Sequence, residues 1–226
     1  MAKLYIIPTP IGNLEDITFR AVRILQEAHF LIAEDTRTTH HLLNHYNIKN
    51  SVVSHHKFNE HSKTEEIVQK LKKREQIAAL VSDAGMPGIS DPGYLLIKKC
   101  LENNVEIESL PGPTAFLPAL VNSGLPCDKF VFEGFLPHKK GRTKRLKFLT
   151  EEERTMVFYE SPYRLLKTLQ QFAEYFGNER KASVSRELTK IHEENARGTL
   201  QELTHHFGEK KIKGEIVIIV EGKPKK

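Results

Sequence analysis

An apolar run that breaks abruptly into glycines, prolines and aspartates most narrows what this chain can fold into. Residues 76–81 read QIAALV, and 81–93 continue as VSDAGMPGISDPG. A short apolar run bounded by turn residues suits a strand buried on both faces, as in a parallel sheet covered by helices. The loop then leaves the carboxyl end of that strand. Pro92 and Gly93 open a helical pattern in which Leu95, Leu96, Lys99 and Cys100 fall near one another. In open α/β sheets the carboxyl edge is where ligands bind. Gly85 and Gly88 permit close backbone approach or positive φ, Pro87 and Pro92 stiffen the loop, and Asp83 and Asp91 offer acceptors to an amine or a ribose. Asx-turns and glycines also build ordinary tight connections, so this loop gains meaning only from its counterparts.

Two counterparts exist. A strand over 3–7 ends in PTPIGNLED (8–16), and a strand over 105–110 runs into PGPTA (111–115), which opens a helix over 116–121. Thr18 is placed to cap a helix with apolar positions Phe19, Val22, Leu25 and Ala28. A strand over 30–33 ends in Glu34-Asp35-Thr36-Arg37, either a catalytic group or a helix cap with an ion pair, and Asp and Thr are preferred caps. A helix over 38–46, a strand over 51–54 and the polar stretch HHKFNEH (55–61) follow, then a helix over 65–74. Only His41 and His45 have the spacing of a helical ligand pair, and no Cys or regular third ligand accompanies them, so no metal is expected. His56, Asn59 and Glu60 read instead as hydrogen-bonding or proton-transferring groups at a cleft mouth. Strands with crossover helices make this half a compact doubly wound domain, with its boundary within 112–126.

The second half is built differently. Strands are expected over 130–135, 155–159, 181–187 and 214–220, and helices over 165–176 and 199–207. Residues 187–190, ELTK, lead into 192–197, which carry no assigned element. Lys139, Lys140, Arg142, Lys144, Arg145 and Lys147 crowd nine positions, and Lys223, Lys225 and Lys226 close the chain. The run 139–147 is read as a helix on a mobile arm, either a solvated face or a phosphate-contacting surface. The net charge of +5 favours a polyanion modestly. No run approaches the roughly 18–20 apolar residues of a membrane helix, and the chain enters its first strand without a signal peptide. A cytoplasmic protein with Cys100 and Cys127 reduced is expected. GxGxxG after the first strand, GxxxxGK[ST] and GxSxG are all missing, which removes the anchors of ordinary dinucleotide, nucleotide-triphosphate and hydrolase chemistry.

Ten ordered motifs carry a resemblance that spans 3–222: PTPIGNLEDIT (8–18), AEDTR (33–37), SDAGMPGISDPG (82–93), LPGPTA (110–115), SGLP (123–126), FEGFLP (132–137), FYESP (158–162), SRELTK (185–190), RGTL (197–200) and KGEIVIIVEG (213–222). The chain resembles the ribosomal RNA small subunit methyltransferase I family, among the tetrapyrrole-methylase-like, class III methyltransferases. That resemblance implies two α/β domains, 1–114 and 115–226, with S-adenosylmethionine (SAM) in a cleft between them. It also implies a homodimer and 2′-O-methylation of a cytidine in the decoding region of 16S rRNA in the 30S subunit. The SAM loops are implied at Pro8, Thr9, Ile11, Gly12, Asp83, Ala84, Gly85, Ile89, Ser90, Thr114 and Ala115, with Gly214 and Glu215 on the closing strand. Candidate proton acceptors are Asp35, Glu60, His56 and Lys190. RNA contacts are expected from Arg37, Lys139, Lys140, Arg142, Lys144 and Arg145. Many family members carry a further C-terminal helical segment, so in this chain the basic run is expected to bear more of the docking. Methylation of a tetrapyrrole-like small molecule and a non-catalytic RNA-binding role are the competing functions; six basic residues in nine have no use in a tetrapyrrole pocket.

Overall fold

A computed structural model describes residues 1–56, 59–73 and 75–224 as two compact units, Met1–Thr114 and Ala115–Lys226. In the first, β1 (Lys3–Ile7), β2 (Phe30–Ala33), β3 (Val52–Ser54), β4 (Ile77–Val81) and β5 (Glu106–Ser109) form a parallel sheet in the order β3-β2-β4-β1-β5. Val81 stands opposite both Ile7 and Ala33, and Ala33 opposite Ser54, so the strands end level and their loops share one edge. Alternate residues enter two cores. Leu31, Ala33, Ala79 and Val81 pack with α1 (Phe19–Glu27) and α2 (Thr36–His45), whereas Phe30, Ile32, Ala78 and Leu80 pack with α3 (Glu60–Lys73) and α4 (Tyr94–Glu102). Both faces are thus covered, as the continuous apolar runs require.

Two helices differ from expectation in phase or extent. Thr18 Oγ1 accepts from Ala21 N at 3.0 Å and caps α1, but the buried stripe is Ala21, Ile24, Leu25 and Ala28, and Phe19 is 97% exposed. That stripe follows i, i+3, i+4, i+7, and the capping residue's neighbour falls outside it. Helix α3 starts at Glu60 rather than 65, because Thr64, Ile67, Val68 and Leu71 form the same repeat with a threonine in its first place. Glu60 therefore stands in a helical first turn. Arg74, placed at the end of that helix, lies outside the described residues, as do Lys57, Phe58 and the terminal Lys225 and Lys226.

The second unit holds β6 (Phe130–Phe135), β7 (Thr155–Glu160), β8 (Lys181–Arg186), β9 (Glu194–Thr199) and β10 (Ile216–Val220), in the order β6-β7-β10-β8-β9. Strands β6 and β7 are parallel and the remaining pairs antiparallel. One face packs Met156, Phe158, Val184 and Ile218 against α6 (Arg142–Leu149), α7 (Leu165–Phe176) and α8 (Leu200–Gly208). The other face meets α5 (Phe116–Ser123). Strand β9 is an addition, a polar ENARGT edge strand without an apolar alternation to announce it. Helix α6 corrects the expectation of a mobile arm, since Leu146 and Leu149 are buried in the core and Arg142 is 7% exposed. Among the described residues no helix is long and apolar enough to cross a membrane.

Candidate functional site

The carboxyl edge of the first sheet gathers three loops. Thr9 and Gly85 pair as a two-bond antiparallel bridge, Thr9 N donating to Gly85 O at 3.0 Å and Gly85 N to Thr9 O at 2.9 Å. Thr9 Oγ1 donates to Ser82 O, and Ser82 Oγ to Gly85 O, both at 2.9 Å. Gly85 has φ +81°, and a Cβ there would lie 3.6 Å from Ile11 Cγ2 and 3.9 Å from Thr114 Cα. A Cβ on Gly112 would stand 3.0 Å from Pro8 Cβ, so the third loop is seated on the first. The structure thus brings Pro8, Thr9, Ile11, Asp83, Ala84, Gly85 and Thr114 together. Gly12, Ile89 and Ser90 are exposed on the same loops, Ser90 with φ +66°. Ala115 precedes α5, and Gly214 and Glu215 precede β10, in the second unit.

Beside these loops stand three carboxylates. Asp35 N donates to Asp83 Oδ1 at 3.1 Å, across the ends of β2 and β4. Burial raises the Asp83 pKa, and the Asp35 charge adds to it. Glu34 is raised likewise, by burial first and then by Asp83, while His56 pulls the other way. Asp35 itself caps α2, accepting from Arg37 N at 2.8 Å, and its carboxylate is forked by the Arg37 guanidinium at 2.6–3.2 Å. These bonds hold it down at about 2. The sequence marked Glu34 with Asp35 as a carboxylate pair at a strand end but carried only Asp35 forward as a proton acceptor, and the structure sets Glu34 beside Asp83 and His56.

The other proton-transfer candidates stand after β3, in the first turn of α3 and in the second unit. His56, just after β3, donates from its backbone N to the Asn59 side-chain oxygen at 2.8 Å, and Glu60 N donates to its carbonyl. Its neighbour His55 is buried, with Nε2 3.2 Å from Thr64 Oγ1, and burial lowers its pKa. In the second unit, Lys190 Nζ donates to Glu187 Oε1 at 2.9 Å and to Glu215 Oε2 at 3.0 Å. Burial works to lower the Lys190 pKa, but the two carboxylates prevail and raise it, so it stays an ammonium at neutral pH. Gly214, at φ +90°, leaves the space that the Glu187 side chain fills.

The six expected RNA contacts divide sharply. Lys139, Lys140 and Lys144 are exposed, and Arg37 is 90% exposed although paired with Asp35. Arg142 is a correction. Its guanidinium is buried, donating to Gln171 Oε1 at 2.8 Å, Thr168 Oγ1 at 2.7 Å and Pro137 O at 3.3 Å, beside the buried Glu160. An arginine consumed inside the unit cannot meet a phosphate. Arg145 is half withdrawn too, its Nε donating to the buried Glu133 carboxylate at 2.7 Å.

The two α/β sheets and the strand-end loops define a class III methyltransferase fold, and a sequence model of the Tetrapyrrole (Corrin/Porphyrin) Methylases matches residues 3–204. Uroporphyrin-III-C-methyltransferase from Thermus thermophilus superposes with TM-score 0.65 at 19% identity over 99% of this chain and 95% of that one. A cobalt precorrin-4 methyltransferase gives 0.72 at 17% identity, over 97% and 95%. A Thermotoga maritima protein named ribosomal RNA small subunit methyltransferase I is 48% identical over 99% of this chain and 100% of its own length. Proteins of that name from Synechocystis sp. and Escherichia coli O157:H7 are 49% and 47% identical, over 98% and 97% of this chain and 80% and 78% of theirs. The chain belongs to the ribosomal RNA small subunit methyltransferase I family of the tetrapyrrole methylases.

Proposed function

We propose that the chain transfers a methyl group from SAM to small-subunit ribosomal RNA, at the ribose 2′-hydroxyl of cytidine 1402 in the usual ribosomal numbering. The observation that carries the reading is the three-loop cradle tied by Thr9 and Gly85 beside Glu34, Asp35 and Asp83. It fits such a donor in its charge: three carboxylates against one arginine suit a ligand bearing sulfonium and ammonium charges. SAM supplies an electrophilic methyl carbon for in-line attack by a hydroxyl. The loops would hold the donor in register with that hydroxyl, and positioning of this kind accounts for much of such a rate. Asp83, fixed by Asp35 N, would accept from the donor's polar groups.

The proton leaves late, and its acceptor must be within reach and able to bind it. Asp35, saturated by Arg37, and Lys190, held as an ammonium, are poor acceptors. His56 takes the proton in this reading, and Glu34, whose charge attracts it, stabilises the imidazolium. His56→Ala should lower kcat by about 10²–10⁴-fold with SAM affinity kept, and Glu34→Gln should lower kcat to a smaller extent, also with SAM affinity kept. Full activity in both variants removes the assignment. The reaction itself is tested with labelled SAM and 30S subunits lacking their modifications, followed by nuclease digestion. Label on one 2′-O-methylcytidine supports the reading; no label with SAM bound refutes it and turns attention to a small-molecule acceptor.

A further inference from the structure

We propose that the exposed face of α6 is a stacking platform for an unpaired base of the RNA, with Phe148 beneath the base and Lys144 and Lys147 at its flanking phosphates. The proposal rests on the RNA-methylating reading above. Helix α6 buries Arg142, Leu146 and Leu149 and leaves Phe148 64% exposed. Lys144 precedes it by four residues, on the same side of the helix as the ring, and the exposed Lys147 adjoins it in sequence on the flank of that side. Phe148 thus presents an aromatic ring to solvent on a helix face that is otherwise lysine-rich. The Arg145 guanidinium lies 4.9 Å from the Phe148 ring centroid while its other donors grip Glu133, so the ring is flanked by a fixed cation.

Charge names the occupant. Lys139, Lys140, Lys144 and Lys147 are exposed and enter no ion pair among the described residues. The two arginines of the helix are paired with Glu160 and Glu133, so what remains is four exposed lysines, two just before the helix and two on it with Phe148. A single ring is too little apolar area for an interfacial membrane helix. Phosphates with an unstacked base between them match it, and single-stranded RNA is read by aromatic stacking of this kind. The platform is also preorganised, since Arg142 pins the start of α6 to α7 through Thr168 and Gln171.

The test measures binding of the full chain to a labelled single-stranded oligouridylate and to an abasic strand of the same length, across a salt series. Wild type should prefer the base-bearing strand. Phe148→Ala should weaken oligouridylate binding roughly 5- to 150-fold while leaving the abasic strand unaffected, and Phe148→Trp should restore the preference. Lys144→Ala and Lys147→Ala should weaken both strands alike and reduce the salt slope by about 0.7 each. SAM affinity measured in parallel separates these effects from misfolding. Unchanged discrimination in Phe148→Ala overturns the platform and leaves RNA methylation standing; a wild type that binds neither strand and labels no 30S subunit overturns both.

Discussion

Gly85 and Gly214 have nearly the same backbone angle, φ +81° and +90°, yet replacing them with alanine should have unequal consequences. An L-residue in that region costs roughly 1–2 kcal/mol, offset in part because alanine also restricts the unfolded chain. For Gly85→Ala little else changes, because the new Cβ meets Ile11, Pro113 and Thr114 at 3.6–3.9 Å, ordinary contact distances. A net loss of about 1 kcal/mol is expected. For Gly214→Ala the Cβ collides with the Glu187 side chain, which must then leave. With it go the bonds its Oε1 accepts from Lys190 at 2.9 Å and from Glu215 N at 3.0 Å. Hydrogen bonds to charged groups contribute about 1.5–3 kcal/mol each; discounting for the partly exposed Lys190 leaves about 2–3 kcal/mol for the pair. The total, about 3–4 kcal/mol, corresponds to a fall in Tm of about 6–16 °C. Urea unfolding of both variants measures the difference, and Glu187→Ala supplies the control. In that background Gly214→Ala should cost only about 1 kcal/mol, since the collision is gone. Equal losses at the two glycines, or strict additivity with Glu187→Ala, would refute the reasoning.

Three further outcomes are expected. Glu160→Ala should destabilise the second unit by about 3–5 kcal/mol in urea unfolding, because it strips the carboxylate from Arg164 at 2.7 Å and leaves Arg142 buried without a counter-charge. Glu194 should govern part of the acid limb of stability. Burial disfavours its charge, but bonds from His206, Lys210 and Arg186 hold it down at about 2, so its contribution is complete above its ordinary value of 4.5 and disappears as pH falls toward 2. The gap between wild type and Glu194→Gln, followed by circular dichroism, should close over that window. Alkylation of the native protein should modify the exposed Cys127 and spare Cys100, whose thiol burial pushes up to about 12; mass spectrometry of the tryptic peptides reads the ratio.

The sequence disclosed the parallel sheet because β2 and β4 are uninterrupted apolar runs and β1, β4 and β5 lead into Pro/Gly loops, which are local signals. Strand β9 escaped because an edge strand needs no apolar alternation, and ENARGT has none. Phe19 was misplaced since helix phase depends on which side meets the sheet, and only packing decides that. The basic run shows the deeper limit. Charge was legible, but whether an arginine faces water or an internal carboxylate depends on Glu133, Glu160, Thr168 and Gln171, which β6, β7 and α7 bring to it. The environment of Glu34 was hidden in the same way, since its raised pKa comes from burial first and then from Asp83, with His56 opposing, and packing alone brings these together.

The Thr9–Gly85 bridge also limits how this chain can diversify. The two loops it joins lie more than seventy residues apart in sequence, yet neither can gain or lose a residue near the bridge without breaking a pair of backbone bonds in the other. Loops normally absorb insertions freely; these two cannot do so independently. Length variation is pushed to connections outside the pairing, such as those that follow β2 and β3, where Glu34 and His56 stand. A lineage that acquires a new acceptor is therefore expected to remodel that side of the sheet edge while its donor loops keep their length.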